Sequence, residues 1–229
     1  NKKIANEEGE RDMGIVIIIL IVGGIIWYKQ TIGSDNAKMV RELTRGKNSL
    51  QTDVITYFKR EGCGAKTITD AQYYDIVASE RSRYNSMQKA LDKIGLDSDE
   101  VREIPPVYFE GFRGENAYTK QTASGRWVST TYEIAWLFFS DSQVHVYRRR
   151  FNLDDDYTTE ITDEYFYKDI TAFTTISEEE VDKDGKRIPT TTFRMRGAGI
   201  EFECSLSEVK DFETAIRGMK QKLREKKNA

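Results

Sequence analysis

The chain has 229 residues, a net charge of −3, two cysteines and one histidine. This length suffices for one domain of ordinary size with smaller elements around it. The cysteine count excludes a small domain held together by disulfides, and two cysteines with one histidine give no zinc-ligand spacing.

Charge is unevenly distributed along the chain. Residues 29–60 carry seven basic and three acidic side chains, residues 154–184 carry twelve acidic and two basic ones, and residues 215–229 carry six basic and one acidic. The acidic balance of the second half argues against a nucleic-acid partner. The two basic regions fit either contact with anionic lipid or solvated helix faces.

The first predicted element is an apolar helix. Residues 13–28 contain no charged side chain and no side-chain amide, and the run ends in Trp27 and Tyr28. A spanning helix needs about 20 apolar residues, and aromatic residues suit the headgroup level. We therefore expect one transmembrane helix over residues 13–30, after a flank of mixed charge at 1–12. A buried core helix would need a polar face, and a cleaved signal peptide would need small residues after the run.

Basic residues favour one orientation of this helix. More of them follow the run than precede it, and lysine and arginine are enriched on the cytoplasmic side of a membrane. We therefore expect a single-pass membrane protein with a cytoplasmic C-terminal domain. Cys63 and Cys204 are far apart, and two free thiols fit the same reducing compartment. An inverted topology with an extracellular domain is the alternative.

Two amphipathic helices are expected within residues 34–104. The first has apolar residues at helical spacing and should end near Arg60. The second should begin near Thr69 and end before Gly95, a typical C-terminal cap. The two apolar stripes predict an antiparallel helical hairpin, a stalk whose helices bury each other. The double proline at 105–106 marks the boundary to the next domain.

After the double proline, the apolar period changes from near 3.6 to 2, which is typical of strands. Asp184-Gly185 predicts a turn between two of them, since glycine supplies the positive φ. One amphipathic helix closes the chain, and Ser205 with Glu208 predicts its capping box. We therefore expect residues 105–229 to form a β domain of about seven strands followed by a C-terminal helix.

Two segments resemble motifs of one known superfold. Leu137 to Tyr147 (LFFSDSQVHVY) is similar to the strand–turn–strand of GRAM and bacterial pleckstrin-homology (PH)-like domains, and Tyr165 to Phe173 (YFYKDITAF) resembles their next strand with its Asp-Ile step. The C-terminal helix falls where theirs closes one end of the sheet. Over residues 107–226 the resemblance implies an α+β fold with a PH-like β-barrel or sandwich. The whole chain resembles uncharacterised membrane-anchored proteins of Firmicutes-type bacteria, which implies the bacterial cell (inner) membrane.

The resemblance also indicates the region in which an anionic ligand would be sought. Some PH domains bind inositol phosphates through a basic loop between their first two strands, and the nearest equivalents here are Lys120 and Arg126. Two isolated cations do not form the dense cluster that a polyphosphate needs. We therefore do not expect phosphoinositide binding. Bacterial PH-like domains more often resemble assembly modules.

Arg148, Arg149 and Arg150 form the one unusual basic cluster. On a strand, Arg148 and Arg150 project to one face and Arg149 to the other. The cluster fits an edge strand protected by charge and paired with nearby acidic hairpins. It also fits a contact site for an acidic partner or for lipid headgroups.

Catalytic and metal-binding patterns are not recognised. His145 lies in the middle of a predicted strand, so a structural role is favoured over a nucleophile–histidine–acid arrangement. The acidic run at 154–156 lacks the spacing of a calcium loop and is expected to be a solvated turn. Gly197-Ala-Gly199 opens no predicted helix and is expected to be a hairpin turn. We predict no catalytic residues, no metal site and no cofactor.

These features predict a non-catalytic scaffold or partner-recruitment protein. It would contact the lipid bilayer through Met13 to Tyr28 and present the PH-like domain to a protein partner or to a second copy. We expect neither a nucleic acid nor a small-molecule substrate. One alternative function is a module that senses anionic lipid. Another is a membrane-tethered enzyme whose site the sequence does not reveal.

Overall fold

The computed structural model describes residues 17–26, 35–60, 67–97, 99, 101, 105–210 and 212–227. In this part the chain is α+β, with six helices and nine strands in three antiparallel sheets. The helices are α1 (17–26), α2 (35–43), α3 (Ser49–Lys59), α4 (Asp70–Tyr84), α5 (Met87–Ile94) and α6 (Phe212–Lys227). The strands are β1 (Val107–Arg113), β2 (Thr119–Gln121), β3 (Trp127–Ser129), β4 (Thr131–Phe139), β5 (Gln143–Asn152), β6 (Thr158–Phe166), β7 (Ile170–Val181), β8 (Arg187–Gly197) and β9 (Ile200–Ser205).

The apolar helix expected at 13–30 is described over 17–26 only, and its large apolar side chains are about half exposed or more. Among the described residues, no helix combines the length and the apolar character that crossing a membrane requires. The predictions of a transmembrane helix, a single-pass topology and a location in the bacterial cell membrane are therefore wrong. Residues 13–16 and 27–30 lie outside the described part.

Seven of the strands form two sheets around one apolar interior. One sheet has the order β1-β4-β5-β6 and the other the order β7-β8-β9. Strands β2 and β3, which lie between β1 and β4 in the sequence, form a separate two-stranded hairpin. Nine strands are thus described where about seven were expected. Both sheets and α6 contribute to the interior, which includes Phe109, Leu137, Phe193, Phe202 and Met219. Each fully buried side chain of this size contributes roughly 1.5–3 kcal/mol.

Two serines close the gap between β1 and the chain that follows β9. The backbone N–H of Phe112 donates to Ser207 Oγ at 2.7 Å, and Ser205 Oγ donates to the Phe112 carbonyl at 2.9 Å. Gly111 permits this approach, because a Cβ there would lie 2.7 Å from the backbone nitrogen of Ser207. The two sheets are thereby joined along one side.

The C-terminal helix begins later than predicted. Ser205 is the last residue of β9, and α6 starts at Phe212, so the capping box of Ser205 with Glu208 is wrong. The backbone N–H of Glu208 donates instead to the Glu110 carbonyl of β1 at 3.3 Å. The apolar stripe of α6 does reach the interior, through Ile216, Met219 and Leu223.

Helices α3, α4 and α5 pack on the outer face of the first sheet. Tyr57 of α3 and Tyr73 of α4 stack with 4.7 Å between ring centroids, and the Tyr73 hydroxyl donates to the Ser129 carbonyl. Together with neighbours they bury Phe112, Tyr132, Ile134, Phe151 and Leu153. The apolar stripes of the two expected helices were predicted to bury each other in a stalk. They are instead buried largely against the sheet. The reason is that the outer face of β4 carries Tyr132, Ile134, Trp136 and Phe138, so this face also needs cover.

Each of the two long helices expected from the sequence is divided. Gly46, with a φ of 77°, precedes the break between α2 and α3, where Asn48 and Gln51 form a capping box. Ser86 caps α5 after α4 has ended. Gly95 ends α5 in a left-handed conformation with a φ of 80°, which confirms the predicted cap. Good local capping therefore competes with continuation of a helix.

Candidate functional site

A polar cleft lies between α2, the end of α3, the β2–β3 hairpin and the turn that joins β7 to β8. Its volume is about 500 Å³. We name it the lysine cleft. Its charged lining consists of Lys59, Arg60, Lys120, Asp182, Asp184 and Lys186. Four cations thus face two carboxylates in one concave site.

The turn between β7 and β8 forms one wall of the lysine cleft. The buried carboxylate of Asp182 accepts hydrogen bonds from the backbone N–H groups of Asp184 at 2.9 Å and Lys186 at 2.8 Å. The Thr119 hydroxyl of β2 donates to the same carboxylate at 2.5 Å. Gly185 has a φ of 78°, which confirms the predicted Asp-Gly turn. These bonds fix the two residues of the turn that line the cleft.

Asp70, at the start of α4, joins α3 to the hairpin on the other side. The Tyr57 hydroxyl donates to Asp70 Oδ1 at 2.6 Å, and the backbone N–H of Ala123 donates to Oδ2 at 2.8 Å. The bond from Tyr57, followed by the bond from Ala123, lowers the pKa of Asp70. Burial, followed by the bond to Asp70, raises the pKa of Tyr57. Asp70 therefore stays charged and Tyr57 stays neutral around neutral pH.

Aromatic rings position the cations of the lysine cleft. Lys120 Nζ lies 3.9 Å from the centroid of the Tyr57 ring, and Lys186 Nζ lies 4.3 Å from that of Trp127. Both distances are within the ~6 Å at which a cation is attracted to the face of a ring. Such contacts hold an ammonium group in place without neutralising its charge, so the group can still bind an anion.

Only part of the charge in the lysine cleft is matched inside the molecule. Lys59 Nζ lies 2.6 Å from Asp184 Oδ1, and the Asp182 carboxylate is occupied by the turn. Among the described residues, no carboxylate lies within ion-pair distance of Arg60, Lys120 or Lys186. Three cations thus share one concave surface without a carboxylate partner in the described part of the chain.

Of the five contact residues predicted from the sequence, Lys120 alone lines the lysine cleft. Arg126 lies in a separate groove, where its guanidinium is 3.6 Å from the Glu208 carboxylate and lies over the Tyr74 ring. Burial raises the pKa of Glu208, and the Arg126 charge opposes that shift. Lys120 and Arg126 are therefore not parts of one site.

The three consecutive arginines are used inside the molecule. Arg150 donates to Glu133 at 3.1 and 3.0 Å, and Arg148 donates to a backbone carbonyl of β9 at 2.7 Å. Arg149 projects to the opposite face, as predicted, and donates to Glu160 at 3.2 Å. The interpretation as a charge-protected edge is wrong, because β5 lies between β4 and β6. The expected pairing with acidic strands is present at Glu160.

Sequence reasoning missed Lys59, Arg60 and Lys186. Lys59 and Asp184 are 125 positions apart, so no local pattern connects them. The one available signal was the Asp-Gly turn, which brings Lys186 to the end of a β hairpin. The hairpin alone does not show what lies opposite it.

Two further predictions concern titratable groups. His145 is buried, with Nε2 3.2 Å from Ser140 Oγ. Asp154 is buried and 2.7 Å from Lys183 Nζ, so the expectation of a solvated turn at 154–156 is wrong at this residue. Burial raises the pKa of the free Cys204 thiol, and Cys63 lies outside the described residues. In the described part of the chain, no three His, Cys, Asp or Glu side chains are grouped to hold a metal ion.

No family model, curated protein or solved structure matches this chain. The resemblance to PH-like and GRAM-like domains therefore stays a prediction. Any function assigned to the lysine cleft has to follow from its own geometry.

Proposed function

We propose that this protein is a non-catalytic recruitment module whose lysine cleft binds an acidic segment of a protein partner. The main support is that Arg60, Lys120 and Lys186 line one cleft without a carboxylate partner in the described residues. A carboxylate that entered the cleft would gain charge-assisted hydrogen bonds, which are roughly twice as strong as neutral ones. Charge complementarity of this kind gives orientation and specificity, which recruitment requires.

The form of the cleft favours an extended protein segment over a lipid surface. Headgroups lie in a plane and contact side chains that project outward. The Lys59 side chain is only 13% exposed, and Lys120 is half-buried beside Tyr57. Gln121 on the hairpin adds an amide that can bond to a peptide backbone. A side chain of an extended segment can therefore reach cations that a flat surface cannot.

Replacement of two cleft lysines tests this proposal. We expect Lys120→Gln with Lys186→Gln to weaken binding of a fluorescein-labelled octaglutamate peptide about tenfold or more, because each charged hydrogen bond contributes roughly 1.5–3 kcal/mol. Fluorescence anisotropy at low ionic strength measures this affinity, since salt screens exposed charges. Thermal unfolding of each variant shows whether the fold is kept.

The matched control carries Lys168→Gln with Lys210→Gln, the same charge change at two exposed lysines outside the cleft. We expect this control to keep wild-type affinity. An equal loss in both double variants would indicate unspecific attraction and contradict the proposal. Binding to phosphatidylserine vesicles without binding to octaglutamate would also contradict it, in favour of the lipid-sensing alternative.

A further inference from the structure

Lys59 is a fourth cation of the lysine cleft, and a carboxylate of the protein itself already holds it. Its Nζ lies 2.6 Å from Asp184 Oδ1. The Lys59 side chain is 13% exposed, whereas the Asp184 side chain is 47% exposed. The buried member of the pair is thus the cation, and the accessible member is the carboxylate.

The conformation of the turn does not depend on the Asp184 carboxylate. The turn is held by the bonds to Asp182 and by the backbone N–H of Lys183, which donates to the Ala117 carbonyl at 2.9 Å. Within the described residues, the Asp184 carboxylate bonds to Lys59 alone. Its side chain can therefore rotate away from Lys59 while the backbone of the turn stays in place.

Release of the Asp184 carboxylate from Lys59 would cost little free energy. Its side chain already contacts water over about half of its surface, so hydration replaces the lysine contact at once. Lys59 would not stay uncompensated, because an incoming carboxylate would take the same position. The exchange replaces one carboxylate by another and changes no covalent bond or protonation state.

We infer that Asp184 is a built-in competitor for the acidic ligand of the lysine cleft, and that Lys59 binds a carboxylate of the partner after Asp184 has left. This inference rests on the proposed function of the cleft. It also specifies the ligand group, because the position beside Lys59 already holds an aspartate carboxylate. Aspartate or glutamate side chains of a partner are therefore the expected occupants.

Asp184→Asn tests this role, because the amide keeps the size of the side chain and removes its charge. We expect the variant to bind octaglutamate about three- to fivefold more tightly than wild type, the range that corresponds to loss of one partly exposed ion pair. The double variant Lys59→Gln with Asp184→Asn should lose this gain. Asp141→Asn, the same substitution at a side chain that is 89% exposed and lies outside the cleft, should bind like wild type.

The outcomes separate this inference from the proposed function. Unchanged affinity of Asp184→Asn, in a protein whose binding depends on Lys120 and Lys186, would overturn the competitor role and leave the proposed function standing. A gain that persists in the Lys59→Gln double variant, or that Asp141→Asn reproduces, would also overturn it. Absence of octaglutamate binding by both wild type and Asp184→Asn would overturn the proposed function itself.

Discussion

Replacement of Glu133 by alanine is expected to lower the free energy of unfolding by about 3–5 kcal/mol, the range for loss of one partner from a buried ion pair. Glu133 is completely buried in β4. Its Oε2 accepts two hydrogen bonds from Arg150, and its Oε1 accepts the backbone N–H of Ser205 at 3.0 Å. Alanine would leave both donors without an acceptor inside the protein. Urea denaturation followed by circular dichroism measures the change.

The matched control is Glu179→Ala, which removes a carboxylate from an exposed pair with Arg187 at 3.5 Å. Exposed pairs contribute only about 0–1 kcal/mol, so this variant should unfold almost like wild type. If both variants lost the same small amount, burial of Glu133 would not have the stabilising role that its contacts indicate.

The effect at Glu133 is expected to be large because the carboxylate belongs to a network between the sheets. Arg113, which is 4% exposed, places one guanidinium nitrogen 2.9 Å from Glu180 and 3.0 Å from Glu203. Glu203 of β9 also accepts from Arg194 of β8 at 2.8 Å. The charge of Glu133 also acts on Arg113, whose pKa it raises. Charges on β1, β4, β5, β7, β8 and β9 thus belong to one network, and removal of one member leaves others buried without an opposite charge.

Replacement of Phe193 by alanine is the second change with a large expected effect, again about 3–5 kcal/mol of unfolding free energy. Phe193 on β8 is fully buried, with its ring centroid 5.0 Å from that of Phe109 and 5.8 Å from that of Phe173. Alanine would leave a cavity between the two sheets in addition to the lost burial. Urea denaturation of the same kind measures the loss.

Phe166→Ala is the control for this change, since Phe166 at the end of β6 is 47% exposed. It removes the same atoms from a position that borders solvent, so we expect a loss below about 1 kcal/mol. Similar losses at both positions would show that the interior between the sheets is not the main source of stability.

Local patterns in the sequence predicted the elements better than their arrangement. The period-2 pattern marked the strands, and Gly95 and Gly185 marked a helix end and a turn, because each feature depends on a few adjacent residues. The outer face of β4 was not foreseen. Strand β4 is buried on both sides, and only packing shows that α3, α4 and α5 cover its outer side.

The apolar run at 13–28 shows the limit of reasoning from composition. Its side chains were sufficient to predict a spanning helix, but the length of a helix depends on which residues adopt helical backbone. Among the described residues, no helix is long and apolar enough to cross a bilayer. An apolar composition alone does not establish such a helix.

The candidate site was largely hidden for a different reason. Lys120 was recognised as an isolated cation, and isolation was the argument against anion binding. The fold brings cations from three separate elements to the same cleft: Lys59 and Arg60 at the end of α3, Lys120 on β2 and Lys186 in the turn between β7 and β8. Long-range contacts of this kind follow from the tertiary structure, which the spacing of charges along the chain does not predict.

The most direct test of the central claim is lysine footprinting by mass spectrometry, with and without octaglutamate. Acetylation rates of Lys120 and Lys186 should fall when the peptide is added, while those of Lys168 and Lys210 stay unchanged, because the first two alone line the lysine cleft. Protection of all four lysines to the same degree, or unchanged rates at Lys120 and Lys186 under conditions where the peptide binds, would contradict the assignment of the cleft as the binding site.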